Sequence, residues 1–361
     1  MHLGLSITPF GHHAAAWRQG KSADALRFEH LAAQVKKAEE GGFDFAFFAD
    51  RLGRRPVDDL DPDTVPFEPT TLVAALATVT KNIGLIATAS MAEYEPYNLA
   101  RRFASLDTIS RGRGGWNFVT AEKASSREEE YVDVVNGLWD SFEEDAFVYD
   151  KEKGRFFVPG KMHVLNHRGK HFTVRGPLNV NRSPQGKPVI AHVLKEATLD
   201  IAARTADLVF IDARSPDEAR TRAADFTERL RHHQRTRSDV RVVANVIAYA
   251  GATNTDARML RERLDRGTFA GPLPAGLEVV GNPCEIADRL QTWSETAQVD
   301  GFTILPPLVP ESVDAFVDGA IGELRARGLV RKSHEGTTLR EHLSLRTPPH
   351  AAEPAAGALG K

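Results

Sequence analysis

Eight short apolar runs, each followed by a stretch with helical spacing, constrain this chain more than any other feature. The runs are Leu3 to Ile7, Phe43 to Phe48, Ile83 to Ala89, Gly115 to Val119, Pro188 to Val193, Leu208 to Asp212, Arg241 to Ala248 and Gly301 to Leu305. They are continuous rather than alternating, as strands buried on both faces require. Helical patterns fill the gaps: Ala25 to Glu40, Glu68 to Thr80, Pro96 to Ile109, Arg127 to Glu143, Glu196 to Ala206, Pro216 to His233, Thr255 to Arg266, Pro283 to Ala297 and Glu311 to Arg327. Such a repeat predicts an α/β fold, a parallel (β/α)8 or TIM barrel. In that fold the chemistry sits where the strands end.

A barrel domain is expected over residues 1–346. Residues 145–186, between the fourth helix and the fifth strand, break the rhythm with many His, Lys, Gly and Phe residues. There Asn166 to Gly169, flanked by MHVL and KHFTV, reads as a hairpin, either a cover over the site or a surface feature. Gly267 to Val280 is rich in glycine and proline and reads as a mobile lid or a plain connector. The stretch 347–361 (TPPHAAEPAAGALGK) is expected to be a disordered or loosely packed tail.

Composition narrows the class. The 361 residues are 42% hydrophobic and 26% charged, as in ordinary soluble proteins. A formal charge of -3 leaves no electrostatic footprint for nucleic acid or an anionic membrane. The lone Cys284 permits no internal disulfide and is expected to be a small buried or semi-buried residue near a helix start. MHLGLSITPF lacks the long apolar core of a signal peptide, and no run reaches the length of a membrane span. A cytoplasmic enzyme is the expectation.

The strand ends carry the candidate chemistry. His12 and His13 follow the first strand, Asp50 the second, Thr88 and Ser90 the third, and Asn117 lies in the fourth. His192, Lys195 and Thr198 lie at the fifth, and Asp212 and Arg214 at the sixth. Each has a bland alternative. The histidines read equally as turn residues, Asp50 as a helix cap or a partner of Arg51 or Arg54, and Thr88 and Ser90 as strand terminators. No HExxH, Cys/His zinc spacing, GxSxG or Walker loop is present, so no metal is expected. Arg111 to Gly115 looks like a phosphate loop, but it precedes a strand rather than a helix and reads as a tight turn.

At these positions the sequence resembles the flavin-dependent monooxygenases of the bacterial-luciferase superfamily, in the nitrilotriacetate and dibenzothiophene-sulfone branch. FDFAFFAD (43–50), FEPTTLVAALATVTKNIGLIATAS (67–90), EPYNLARRFASLDTISRGRGGWNFVT (95–120), HRGKHFTVRGPLNVNRSPQGKPVI (167–190) and GELRARGLVRKSHEGTTLREHLSL (322–345) carry the resemblance in order. It implies a barrel that uses reduced FMN, supplied by a separate NAD(P)H:flavin reductase. It implies oxygenation of a small organic substrate by O2 through a flavin C4a-(hydro)peroxide. Homo-oligomers are common in the superfamily. A deazaflavin or flavin hydride-transfer enzyme and a non-catalytic flavin-binding subunit are the alternatives.

Carried over by position, Asp50, Thr88, Ser90 and Asn117 become expected flavin contacts, and His12, His13 and Asn117 expected catalytic residues. Two departures concern the flavin phosphate. After Thr120 the segment that bears a histidine and a tyrosine in relatives is shortened. Where relatives have QAGSS, this chain has Ala191-His192-Val193-Leu194-Lys195. His192, Lys195 and Thr198 are candidate replacements, with Lys195 binding a dianion by charge; a solvated lysine beside an eroded phosphate site is the other reading.

Overall fold

The computed structural model describes residues 1–19, 24–50, 67–119, 125–266 and 275–352. Eight parallel strands close into a barrel. They are β1 (His2–Ser6), β2 (Phe45–Phe48), β3 (Gly84–Ser90), β4 (Gly114–Val119), β5 (Val189–Val193), β6 (Leu208–Ile211), β7 (Arg241–Ala250) and β8 (Gly301–Leu305). Each pairs with the next, and β8 pairs with β1 through His2↔Gly301 to Leu5↔Ile304. The eight predicted runs are these eight strands, with ends shifted by two residues or fewer.

Helices pack between the strands: α1 (Phe28–Glu40), α2 (Pro69–Val79), α3 (Pro96–Ser110), α4 (Ser126–Trp139), α5 (Leu199–Thr205), α6 (Pro216–His232), α7 (Asn254–Arg266) and α8 (Pro283–Ala297). A last helical run continues from Glu311 to Ala326 through a π turn at Phe316–Ala320. Local chemistry sets several starts. Glu68 accepts hydrogen bonds from the Thr70 and Thr71 N–H groups with Pro69 behind it, and Ser125 and Glu128 form a capping box. Three helices differ from expectation: α1 begins at Phe28 rather than Ala25, behind a separate 3-10 turn at Asp24–Leu26. α4 stops at Trp139 rather than Glu143, because buried Asp140 turns away to pair with Lys187 at 2.6 Å and Arg182 at 3.2 Å. The fifth helix opens with a 3-10 turn over Glu196–Thr198.

The stretch read as a lid or a plain connector ends in a strand. Residues 267–274 lie outside the described part, but Leu277–Gly281 pairs in parallel with Val246–Ala250 of β7. β7 has ten residues, and β6 pairs only with its first four, Arg241 to Ala244. The accessory strand satisfies the backbone groups that β6 leaves open along the same edge. Residues 51–66 also lie outside the described part.

The insertion holds two antiparallel hairpins, Phe147–Asp150 with Arg155–Phe157 and His167–Arg168 with Thr173–Val174. The turn of the second lies at Gly169 to Phe172, later than Asn166 to Gly169, because Glu130 of α4 pins it. That carboxylate accepts from the His171 and Phe172 N–H groups and contacts His167 Nε2 at 2.9 Å. Further on, Ser183 and Gln185 bond to Asp107 at the end of α3. The insertion therefore lies against α3 and α4: its second hairpin reaches the first turn of α4, where His171 Nε2 lies 2.9 Å from Ser126 Oγ, and only residues 183–185 reach the N-terminal end of the barrel.

The C-terminal strap closes that end. Leu339, Leu343 and Leu345 join Phe45, Ile86, Val189, Ala191, Leu208, Phe210 and Val243 in one buried cluster, the barrel interior. Gly84 is required there, because a Cβ on it would collide with the Leu339 side chain. Arg340 forks onto both oxygens of Asp207 at 2.9 and 2.7 Å, and Arg241 donates to the Leu343 carbonyl at 2.7 Å. Arg111 to Gly115 is a turn at this same end: Gly112 has φ +84°, and its carbonyl accepts from Leu339 N at 2.9 Å. The tail expectation fails for residues 347–352, since His350 is buried and its Nε2 lies 2.9 Å from the Asp140 carbonyl. Residues 353–361 lie outside the described part. Cys284 is exposed, not buried or semi-buried, because it stands on the outer face at the start of α8.

Candidate active site

Alternation along each strand decides which side chains face the barrel interior. Phe45, Ile86, Val189, Phe210 and Val243 face inward. Two-residue steps from these place Phe47, Thr88, Ser90, Val193, Asp212 and Asn245 inward as well. Gly115 faces Ile86 and Leu339, so Asn117 points inward too. Thr303 pairs with Asn245 and with Gly4, whose missing Cβ faces the Phe45 ring, so it also points inward. Around a closed barrel such residues stack in layers drawn from alternate strands. Phe47, Asn117, Phe210 and Thr303 make one layer. Ser6, Thr88, Val193 and Asn245 make the next toward the rim.

The lower of these layers has an aromatic centre: the Phe47 and Phe210 rings lie 4.8 Å apart. On one side Asn117 Nδ2 donates to Thr88 Oγ1 at 2.9 Å, and both side chains are 2% exposed. That bond uses one of the amide's two N–H groups, and among the described residues its carbonyl oxygen, Asn117 Oδ1, is buried without a partner. Thr303 Oγ1 is likewise buried and unpartnered. Buried polar atoms left open in this way cost free energy unless a ligand satisfies them. Asn245 Nδ2 donates to Asp212 Oδ1 at 2.6 Å. Burial raises the Asp212 carboxyl above the ordinary carboxylate value, and Glu218 adds to this, while the Asn245 bond, Arg222 and Lys195 oppose it.

The other predicted residues are placed less uniformly. Ser90 is half-buried at the rim, where its Oγ accepts from Ala92 N at 3.2 Å. Asp50 is half-buried beyond β2, close enough to Glu93 to help raise that carboxyl, after burial and ahead of Glu68. Its suggested partners Arg51 and Arg54 lie outside the described residues. His12 Nε2 stands 3.3 Å from the Ser6 carbonyl at the end of β1. The loop carrying it docks on β8, with His12 N donating to the Pro306 carbonyl at 2.8 Å. His13 is turned elsewhere: its Nδ1 accepts from Ala15 N at 3.1 Å, and its Nε2 lies 3.3 Å from Asp265. Nδ1 braces the loop itself and Nε2 ties it to α7, so both ring nitrogens of His13 are engaged away from the mouth.

His192 does not reach the mouth. It sits one residue from inward-facing Ala191 and Val193, so its ring points out to the helix layer. There Nε2 meets Thr205 Oγ1 of α5 at 3.0 Å, and the Thr205 hydroxyl donates its hydrogen bond to the Ile201 carbonyl. Burial lowers the ring's pKa to about 3, so it is neutral. Thr198 is buried, with its hydroxyl donating to the Lys195 carbonyl at 3.3 Å. Of the three candidate phosphate ligands, Lys195 alone is exposed at the strand end. Asn245 was missed, though the sequence held a signal: it is the lone polar side chain inside the apolar run VVANVIAYA.

Among the described residues no helix is long and apolar enough to cross a membrane, and no cluster of His, Cys, Asp and Glu is arranged to hold a metal. Comparison with known proteins gives the family. Residues 8–300 match the model of the luciferase-like monooxygenases. The chain is 35% identical to N-acetyl-S-(2-succino)cysteine monooxygenase of Bacillus subtilis, over 96% of this chain and 97% of that one. It is 34% identical to nitrilotriacetate monooxygenase component A of Aminobacter aminovorans, covering 97% and 98% of the two chains. The crystal structure of DmoA from Hyphomicrobium sulfonivorans superposes with a TM-score of 0.87 at 25% identity, over 95% of this chain and 92% of that one. A closed parallel barrel with a polar C-terminal mouth, matched over nearly its whole length by these enzymes, belongs to the luciferase-like monooxygenases and is a flavin-dependent monooxygenase.

Proposed function

We propose that this protein is the oxygenase component of a two-component system, using reduced FMN supplied by a separate NAD(P)H:flavin reductase to oxidise a small organic substrate with O2. The observation that carries the reading is the buried Asn117 Oδ1, left open beside the Thr88 hydroxyl inside the mouth. The residues present fit the ring of a flavin. Asn117 offers an acceptor for a ring N–H, Thr88 and Ser90 are small enough to let a flat ring approach the strand ends, and Asp50 stands at the rim. Phe47 and Phe210 give the chamber an apolar base, which keeps water from the reacting atoms. When bound, the flavin supplies the two electrons that reduce O2, with one oxygen atom going to substrate and the other to water. His12 is the histidine proposed to face substrate.

The phosphate end is held by less. Lys195 provides a charge at the start of the Glu196–Thr198 turn, but Glu196 places an opposing charge beside it. Affinity for FMN therefore rests on the ring more than on the phosphate.

The test is anaerobic titration of the protein with reduced FMN, followed by rapid mixing with oxygenated buffer. Reoxidation of the bound flavin is expected to differ in rate from that of free reduced FMN, and addition of a substrate is expected to yield an oxygenated product. Absence of FMN binding in both redox states would overturn the reading.

A further inference from the structure

The wall opposite Thr88 and Asn117 is also polar. β7 and β8 lie across the barrel from β3 and β4, and they carry Asn245 and Thr303, with Asp212 beside them at the end of β6. The row has a defined geometry. Asn245 Nδ2 donates to Asp212 Oδ1 at 2.6 Å, which orients the carboxylate, while the described residues give its second oxygen no donor. Thr303, on the next strand, is 1% exposed and its inward-facing hydroxyl has no partner among the described residues. An oriented carboxylate and an open hydroxyl, on one side of a chamber based on two phenylalanine rings, make a binding surface with a sign.

The charges around Asp212 leave that sign negative. Arg222 of α6 is paired with Glu218 at 2.8 Å, and Glu218 also accepts from Arg214 N at 2.8 Å. Lys195 is exposed to solvent at the rim, where its charge is screened. We propose that Asp212, held by Asn245, determines specificity by binding an ammonium or other N–H-bearing group of the substrate, with the apolar part of the substrate against Phe47 and Phe210. A ligand carboxylate at the same place would meet Asp212 as a like charge. This inference rests on the reading of the mouth as the reaction chamber.

Benzylamine and benzoate test it, since they share a ring and differ in the sign of their charge. Their affinities are measured by calorimetry on the full chain, alongside FMN affinity by flavin fluorescence. The expected result is benzylamine binding about tenfold tighter than benzoate, the scale of one partly desolvated charge contact. Asp212→Asn is expected to abolish that preference while leaving FMN affinity unchanged, and Asp212→Glu to retain its direction. If Asp212 only ties β6 to β7, neither variant moves the preference. Equal binding of the two probes by the parent protein, or a preference that survives Asp212→Asn, overturns the inference. The parent comparison needs no variant and stands even if Asp212→Asn does not fold. Failure of FMN to bind, with the amine preference intact, removes the oxygenase reading and leaves the amine site.

Discussion

Asn117 carries two demands in one side chain. One N–H of its amide goes to Thr88, and that bond fixes the direction of its open oxygen. Replacement by alanine removes the acceptor offered to a ligand and frees the Thr88 hydroxyl. FMN affinity, read by fluorescence titration, is expected to fall about tenfold in Asn117→Ala, the worth of a buried hydrogen bond whose partner is left unsatisfied. Thr88→Val is expected to weaken FMN binding less, because the Asn117 amide keeps its oxygen. His192→Asn makes the opposite point. Its ring lies in the helix layer, so the change is expected to lower the unfolding midpoint and leave flavin affinity unchanged.

At the scale of elements, the C-terminal strap is the least obvious stabiliser. Arg340 and Asp207 form a buried fork that joins the strap to the start of β6, and Asp207 also accepts from Ile190 N at 2.9 Å. Arg340→Ala leaves that carboxylate without its cation and is expected to cost about 3 kcal/mol in urea unfolding. Leu339→Ala empties the inner end of the barrel and is expected to cost about the same. The strap also carries an acid-sensitive group. His342 is pushed down to about 4 by burial first, and then by His334, whose ring lies 4.0 Å away. A histidine whose folded pKa is lowered binds fewer protons folded than unfolded, so it costs stability as pH falls from about 6.5 toward 4. His192, lowered to about 3, acts in the same direction. Asp107 acts oppositely: burial raises it to about 6, so it favours the folded state increasingly as pH falls from 6 toward 4. His342→Gln is expected to lose less of its melting temperature between pH 7 and pH 5 than the parent does, as calorimetry would show.

For the whole molecule, the barrel was legible because continuous apolar runs separated by helical patterns admit few packings. Strands such as Gly301 to Leu305 and helices such as Pro283 to Ala297 appear where expected, since each contains its own start and stop signals. The rest depended on partners distant in sequence. The Leu277–Gly281 strand exists because β7 outruns β6, and the packing of His350 depends on Asp140, far back in the chain. Because one barrel positions both walls of the mouth, changes at its closed end should act at a distance. Arg340→Ala is expected to reduce oxygenase activity at elevated temperature in step with unfolding, while FMN affinity at low temperature is unchanged.

The sequence by itself determined the β/α order, the barrel and the family, because these follow from local periodicity and from motifs read in order. Only the tertiary structure decided which strand-end side chains share the chamber. A strand presents alternate residues to opposite faces, so a shift of one position separates an interior group from one in the helix layer. His192 and Val193 are neighbours in sequence and lie on opposite sides of the wall, whereas Asp212 and Asn245, 33 residues apart, meet at 2.6 Å.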